Sequence, residues 1–382
     1  MSGPSELRIL VSLRSDAATK PGGDVNLLRG FGDELADRHR VETVIGVPNR
    51  DDLRSADVVL TANLDRPVEP AATLARAEQA GVPMVHYTLH HPAAGVRAYL
   101  ENGAHGVRRV LARAAGGSPT RYEQLLWTLH AGATLVRDRR RPAVGSVRAA
   151  QERLLSSARL VVSSLAEAEA ITADLGSIGA HDVVAHPADF PPGEHRPTPG
   201  RVVVPGRIES RKNQLLTLAL ARRFPDTEFL LVGGYNPADA RYQRLVAAEL
   251  ARTANATHVE HLPKDEFYPL VRTAQVIVSA SWFEVTSLIE RYGAANGIPM
   301  VISRHSYLAD ADAIRPDTIH RFDPSDLDQA AGALSAALAD EGARSDRSGP
   351  GSGGASNPVG LTTRVERTIT EVVEAAVVGA RP

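Results

Sequence analysis

Two stretches decide how this chain reads: Pro205–Gln214, PGRIESRKNQ, and Ser281–Ser303, SWFEVTSLIERYGAANGIPMVIS. The first follows a β-rich run at Arg201–Val204; the second passes through a Gly-Ile-Pro turn into another at Pro299–Ser303. Among 43 basic residues the only lysines are Lys20, Lys212 and Lys264, so Lys212, in the turn after the first strand, is not there by compositional habit. A compact ammonium beside Arg207 and a helix start is what a diphosphate needs, because cations and unpaired backbone N–H groups both stabilise phosphate charge. Taken alone, the same residues also describe a solvated basic turn.

Outward from these stretches, β-rich runs alternate with helical patterns, the signature of parallel sheets with crossover helices. In the second half strands are expected at Arg201–Val204, Glu228–Val232, His258–His261, Gln275–Ser279 and Pro299–Ser303, six or so in all. Helices are expected near Gln214–Arg223, Ala240–Arg252, Asp265–Thr273 and Ser287–Asn296. The first half gives strands at Leu7–Leu13, Val41–Val47, Asp57–Thr61, Pro83–Leu89 and Arg159–Ser163, and a helix at Asp24–Arg38 with Val25, Leu28, Phe31 and Leu35 on one face. In the turn TKPGGDVN between the first strand and that helix, Gly22 and Gly23 read first as a simple tight turn, and they also let backbone approach a ligand closely. Ala93–Arg141, with Trp127 and His130, is expected to be helical.

The proline-rich stretch Pro191–Arg201 reads as an interdomain linker, and Glu341–Pro358 as a flexible loop. The expected organisation is a first domain over 1–195, a second over 200–341, a loop at 342–357 and a terminal helix in 358–382 that packs back on the first domain. Val365, Ile369, Val372 and Ala376 give that helix its apolar face.

Composition sets the outer bounds. A chain of 382 residues exceeds the roughly 250–300 residues at which one core stops growing, so two domains are the default. A formal net charge of -2, with acids and bases mixed along the chain, argues against a nucleic-acid surface. With 0 cysteines, disulfides and thiolate zinc sites are excluded. No run approaches the ~18 apolar residues of a membrane span, and the N-terminus lacks a signal-peptide pattern, so stable membrane insertion is not expected and a cytoplasmic location is the simplest one.

With these residues in view, the chain resembles the retaining glycosyltransferases of the GT-B fold. The likeness rests on two Rossmann-like halves, the segment GRIESRKN, and SWFEVTSLI followed by GIP. It implies an α/β architecture of two doubly wound domains facing a cleft, with a C-terminal helix crossing back to the first. It also implies a nucleotide-diphosphate sugar as donor, a small-molecule acceptor of the kind met in secondary metabolism, no cofactor, and a monomer or homodimer. The family's Gly-Arg pair, followed five residues later by Lys, binds the donor diphosphate; the matching positions are Gly206, Arg207 and Lys212.

The family's second motif has two glutamates with seven residues between them. Counting back from Gly297 and Pro299 places the first on Glu284, the Gly-Leu pair on Ser287 and Leu288, and the second glutamate on Tyr292. This is a departure from the pattern. The second carboxylate is similar to a ribose clamp, because an acceptor-only group binds two neighbouring hydroxyls. Tyr292 can offer ribose a neutral hydroxyl or can equally be a core aromatic. Glu290 lies roughly 200° around the helix from it, so it takes the clamp position only with a two-residue insertion. The resemblance implies that Glu284 faces the donor sugar or the reacting edge, a surface loop glutamate being the other reading, and that the N–H groups of Ser287 and Leu288 meet phosphate at a helix start.

In VPMVHYTLHHP a strand ends at His90 and His91, where the family often carries a histidine near the donor sugar. His90 aligns with it and is expected to bind a sugar hydroxyl or to help the acceptor lose its proton, given an ordinary pKa near ~6.5. Structural histidines capping a strand remain the other reading. His86, His90 and His91 lack a zinc spacing and a clear acidic partner, so no metal is expected. Double displacement would need a second carboxyl about 5–5.5 Å from the first, and none is evident near His90. The resemblance implies instead a same-face displacement, with the leaving diphosphate taking the acceptor's proton while Arg207 and Lys212 stabilise its charge. A nucleotide-sugar epimerase or hydrolase, or a catalytically silent binding protein, remains open.

Overall fold

The computed structural model describes residues 6–19, 22–138, 145–188, 190–308, 318–347 and 367–380. The chain divides into two units, one of Met1–Pro92, Ser118–Pro187 and Thr363–Pro382, the other of Ala93–Gly117 and Ala188–Thr362.

The first unit is built on a parallel sheet of β1 (Arg8–Leu13), β2 (Arg40–Ile45), β3 (Val58–Ala62), β4 (Met84–Tyr87), β5 (Arg159–Val162) and β6 (His181–Val183), in the order β2-β1-β3-β4-β5-β6. Its interior strands are apolar on both faces, as a sheet covered on both sides must be. Ile9, Val11 and Leu13 pack with Leu27, Phe31 and Leu35 of the helix Gly23–Ala36, whereas Leu10 turns to the opposite layer with Leu74 and Ile171. The last helix, Ile369–Ala380, adds Ile369, Val372, Val373, Ala376 and Val377 to the Phe31 layer, so the chain's final element completes the core of its first sheet.

The second unit repeats the plan with β7 (Arg201–Pro205), β8 (Glu228–Val232), β9 (Ala256–Val259), β10 (Val276–Ser279), β11 (Met300–Ser303) and β12 (Ile319–Phe322), ordered β12-β11-β10-β7-β8-β9. Alternate residues of β7 serve alternate layers. Val202 and Val204 pack with Leu218 and Phe229, and Val203 with Ile277 and Met300.

Several expectations change. Strands β6 and β12 were not foreseen; both are edge strands with half-buried, partly polar residues, so they lack the apolar run that marks interior strands. Edge strand β9 begins two residues earlier than expected. Ala93–Gly117 is helical as expected but groups with the second unit rather than with a first domain over 1–195. There the Tyr99 and Ser210 hydroxyls are hydrogen-bonded at 3.0 Å, the His105 ring lies tilted against that of Tyr242 with centroids 5.3 Å apart, and a Cβ on Gly103 would lie 2.2 Å from Trp282 Nε1. The helix Leu327–Arg347 runs six residues into the stretch expected as the loop 342–357; the rest of that loop, and Val365, lie outside the described residues.

Candidate functional site

The second sheet has a topological switch point. From β7 the chain proceeds to β8 and β9 on one side, then returns to place β10 on the other side of β7. In parallel sheets, crossovers that part in this way leave a crevice beyond the carboxyl ends of the two strands, where ligands collect. The residues following β7 and β10 meet there.

At the end of β7 the chain turns at Gly206, φ +140, a conformation that L side chains rarely adopt. It passes directly under Gly233, φ +151, at the end of β8; a Cβ on Gly233 would lie 2.4 Å from the Gly206 carbonyl oxygen. The following 3-10 turn, Ser210–Lys212, is fixed by Asp239, whose carboxylate accepts from the Ser210 N–H at 2.8 Å and from its hydroxyl at 2.6 Å. Asn213, φ +56, then starts the helix Gln214–Arg223 while its Nδ2 donates to the Pro324 carbonyl at 2.8 Å.

This turn aims Arg211 and Lys212 at Glu284, which follows β10. Arg211 Nη1 lies 3.1 Å from Glu284 Oε1, and Lys212 Nζ donates to the same oxygen. Arg211 Nη2 also reaches Glu209 at 3.1 Å. Burial opposes the charge on Glu284, but Arg211 and then Lys212 outweigh it and hold the carboxyl well below the usual carboxylate range. Burial likewise opposes the Arg211 charge, and Glu284 and Glu209 restore it, raising its pKa. Arg207 is different: its side chain is 57% exposed and lies 3.6 Å from Glu209.

Ser287 caps the helix Leu288–Ala295, its hydroxyl accepting from the Glu290 N–H at 3.4 Å, and Leu288 opens the first turn. Lys212, Gly206, Glu284, Ser287 and Leu288 are therefore all held on turns or helix starts that follow β7 and β10.

Tyr292 and Glu290 are placed otherwise. Tyr292 is fully buried, its ring 4.6 Å from that of Tyr268 and 5.4 Å from that of Phe190, and its hydroxyl accepts from Arg272 at 3.0 Å. It is a core aromatic and presents no hydroxyl to a ribose. Glu290 is also fully buried, one oxygen accepting from Ser279 at 2.5 Å and the other from Ser306. Burial and then the nearby Glu284 charge push its carboxyl up to about 7, against the two serine hydroxyls. Both carboxyl oxygens are committed inside the protein, so neither position supplies the expected ribose clamp.

His90 is corrected as well. Its Nδ1 lies 2.7 Å from Asp65 and its Nε2 3.1 Å from Asp174, so both ring nitrogens face carboxylates. Burial works against its charge, yet Asp65 and Asp174 raise its pKa to about 10, so it is a fixed cation with no nitrogen left to take a proton. Its backbone N–H donates to Glu167, which also binds Thr88 and Ser163. His86 hydrogen-bonds Thr61 at 2.8 Å, and burial lowers it to about 3. Gly23 opens the helix Gly23–Ala36 with open space where a Cβ would stand; the tight position is Gly22, where a Cβ would come within 2.9 Å of Arg14. Among the described residues no group of three or more His, Asp or Glu side chains is arranged to hold a metal ion, and no helix is long and apolar enough to cross a membrane.

Arg211 and Glu209 were missed. Arg211 is one arginine among many, and only its burial between two carboxylates separates it from the rest.

The two parallel six-stranded sheets with their flanking helices match the GT-B fold of solved structures. Sucrose-phosphate synthase from Thermosynechococcus elongatus superposes with a TM-score of 0.59 at 16% identity, over 88% of this chain and 91% of that one. Anabaena HepE, solved with UDP and glucose, gives 0.54 at 14% identity over 89% and 95%. The catalytic domain of starch synthase IV from Arabidopsis thaliana, bound to ADP and acarbose, gives 0.52 at 12% over 88% and 92%. At these identities the shared feature is the fold. No family model and no curated protein matches the chain.

Proposed function

We propose that the chain is a retaining glycosyltransferase that moves a sugar from a nucleotide-diphosphate sugar to a small-molecule acceptor without a metal ion. The observation that carries this reading is the convergence of Arg211 and Lys212 on Glu284 at the switch point between β7 and β10, beside the helix start at Ser287 and Leu288. With Arg207 beside them, three cations meet two carboxylates there, a preorganised arrangement at the place where a ligand of a doubly wound sheet sits. HepE was solved with UDP and glucose, and the starch synthase domain with ADP, which fits a nucleoside diphosphate as the occupant.

In this reading Lys212 and the first-turn N–H groups meet the diphosphate oxygens, while Arg211 holds Glu284 ionised and in place. Exposed Arg207 adds a second cation when the donor arrives. The bond from the anomeric carbon to the diphosphate oxygen breaks, a bond to the acceptor oxygen forms on the same face, and the acceptor proton passes to the departing diphosphate. With both nitrogens of His90 occupied, the leaving group is the proton acceptor that this scheme needs.

The test is nucleoside diphosphate release from a panel of nucleotide sugars, with and without candidate acceptors. Lys212→Ala should lower turnover roughly 10²–10³-fold by removing one preorganised charge, with the melting temperature preserved because Arg211 still pairs with Glu284. Near-normal turnover in that variant overturns the assignment. Release that needs no acceptor makes the protein a hydrolase.

A further inference from the structure

Tyr99 lies in the first half of the sequence, between β4 and β5, yet it belongs to the second unit. It opens a wide π-helical turn, Tyr99–Gly103, in which the Ala104 N–H donates to the Tyr99 carbonyl at 2.8 Å. Turns of this kind are rare and gather at functional sites. Two glycines seat it. A Cβ on Gly95 would lie 2.9 Å from the Phe283 Cβ and 2.9 Å from the Trp282 carbonyl oxygen, and one on Gly103 would strike the Trp282 ring. Backbone from the first half of the sequence therefore lies flush on the residues that follow β10.

There Tyr99 touches the scaffold of the candidate site. Its side chain is buried, and its hydroxyl meets that of Ser210, which opens the 3-10 turn carrying Arg211 and Lys212. The direction of that bond follows from the protons. Ser210 has one hydroxyl proton and gives it to Asp239 at 2.6 Å, so it accepts from Tyr99 at 3.0 Å, and the Tyr99 oxygen in turn accepts from Arg108 at 3.4 Å. Arg108 lies 3.7 Å from Asp239, which closes the chain of four side chains into a ring. With a donor-only guanidinium at one end and an acceptor-only carboxylate at the other, each proton has one place, and each bond polarises the next.

The Tyr99 ring serves the other strand end. It stands edge-on to Phe283, with centroids 5.9 Å apart and planes at 82°. Arg211 lies 5.8 Å from the centroid of the same Phe283 ring and donates to the Phe283 carbonyl at 3.2 Å. Phe283 immediately precedes Glu284. One side chain thus spans both segments that bring Arg211 and Lys212 to Glu284, its hydroxyl on the turn after β7 and its ring on the residues after β10.

We infer that Tyr99 is a positioning residue for the transfer step, fixing the Ser210–Lys212 turn through its hydroxyl and the Glu284 segment through its ring. The inference rests on the transfer reading for its meaning, whereas its first measurement needs no ligand.

That measurement is hydrogen exchange followed by mass spectrometry on the parent and on Tyr99→Phe, which keeps the ring against Phe283 and removes the hydroxyl alone. Amide exchange over residues 206–214 should quicken about threefold to tenfold, the worth of one hydrogen bond, while β8 keeps the parent rate and a melting curve shows that the fold is kept. In nucleoside diphosphate release, kcat should fall roughly tenfold with the donor KM within about twofold, because a misplaced group is missed in the transition state. Adding Tyr99→Phe to Ser210→Ala should cost nothing further in either measurement, since the hydroxyl acts through Ser210. Unchanged exchange at 206–214, exchange that quickens equally in β8, an unchanged kcat, or additive losses in the double variant overturns the inference. A parent that releases no nucleoside diphosphate from any nucleotide sugar sinks the transfer reading instead, and the exchange comparison then decides by itself whether Tyr99 holds the turn.

Discussion

Gly233→Ala puts the geometry of the site under direct test. The added Cβ would stand 2.4 Å from the Gly206 oxygen and 2.7 Å from its carbonyl carbon, inside the 3.0 Å that real Cβ atoms essentially never breach. The Gly206 turn must therefore retreat by at least 3.0 minus 2.4, or 0.6 Å. That turn leads directly into Arg211 and Lys212. A displacement approaching 1 Å of groups that position a reacting centre costs on the order of 10²-fold, so turnover should fall roughly tenfold to a hundredfold. The alanine also inherits φ +151, a strain of about 1–3 kcal/mol, which lowers the melting temperature by about 2–4 °C per kcal/mol in a unit of this size. Gly234→Ala is the internal control, since its Cβ meets only the His261 Cβ at 3.6 Å, and its melting temperature should match the parent. Differential scanning calorimetry and nucleoside diphosphate titration read both effects. A Gly233→Ala protein that melts and binds nucleotide like the parent refutes the crossing as an anchor of the site.

Other outcomes follow from the same geometry. Glu290 has a folded pKa of about 7 against an ordinary 4.5. A carboxyl raised on folding gives its full stability below the unfolded value and loses it as pH rises through the folded one. Glu290→Gln should therefore melt progressively higher than the parent from pH 5 to 8, with nucleotide affinity unchanged; a loss of affinity would mean that Glu290 touches the ligand. His90 titrates near 10 against an ordinary 6.5, so its contribution is complete below about pH 6.5 and is lost as pH climbs through about 10. Melting temperature should fall more steeply over that window in the parent than in His90→Asn, and parallel curves would refute the ion cluster. EDTA should leave nucleoside diphosphate release unchanged, because protein cations and helix N–H groups supply the charge; activity lost to EDTA and restored by magnesium or manganese refutes metal independence.

Much of the fold was legible in the residues themselves. Interior strands β1, β3, β7, β8 and β10 are short apolar runs because both of their faces are covered, and that condition is written locally. Gly206 and Lys212 stood out for a similar reason, a turn glycine and a rare lysine beside a strand end. Tertiary structure decided what depends on neighbours distant in sequence. It put Tyr292 in the core against Phe190 and Tyr268, and it turned Glu290 inward to Ser279 and Ser306. It used both nitrogens of His90 on Asp65 and Asp174, and it singled out Arg211 by burying it between Glu209 and Glu284. Local pattern reports whether a residue is apolar and which turn it allows. Which charge a side chain meets, and how far from water, is set by packing between segments that can be 72 or 84 positions apart, and no window along the chain contains that information.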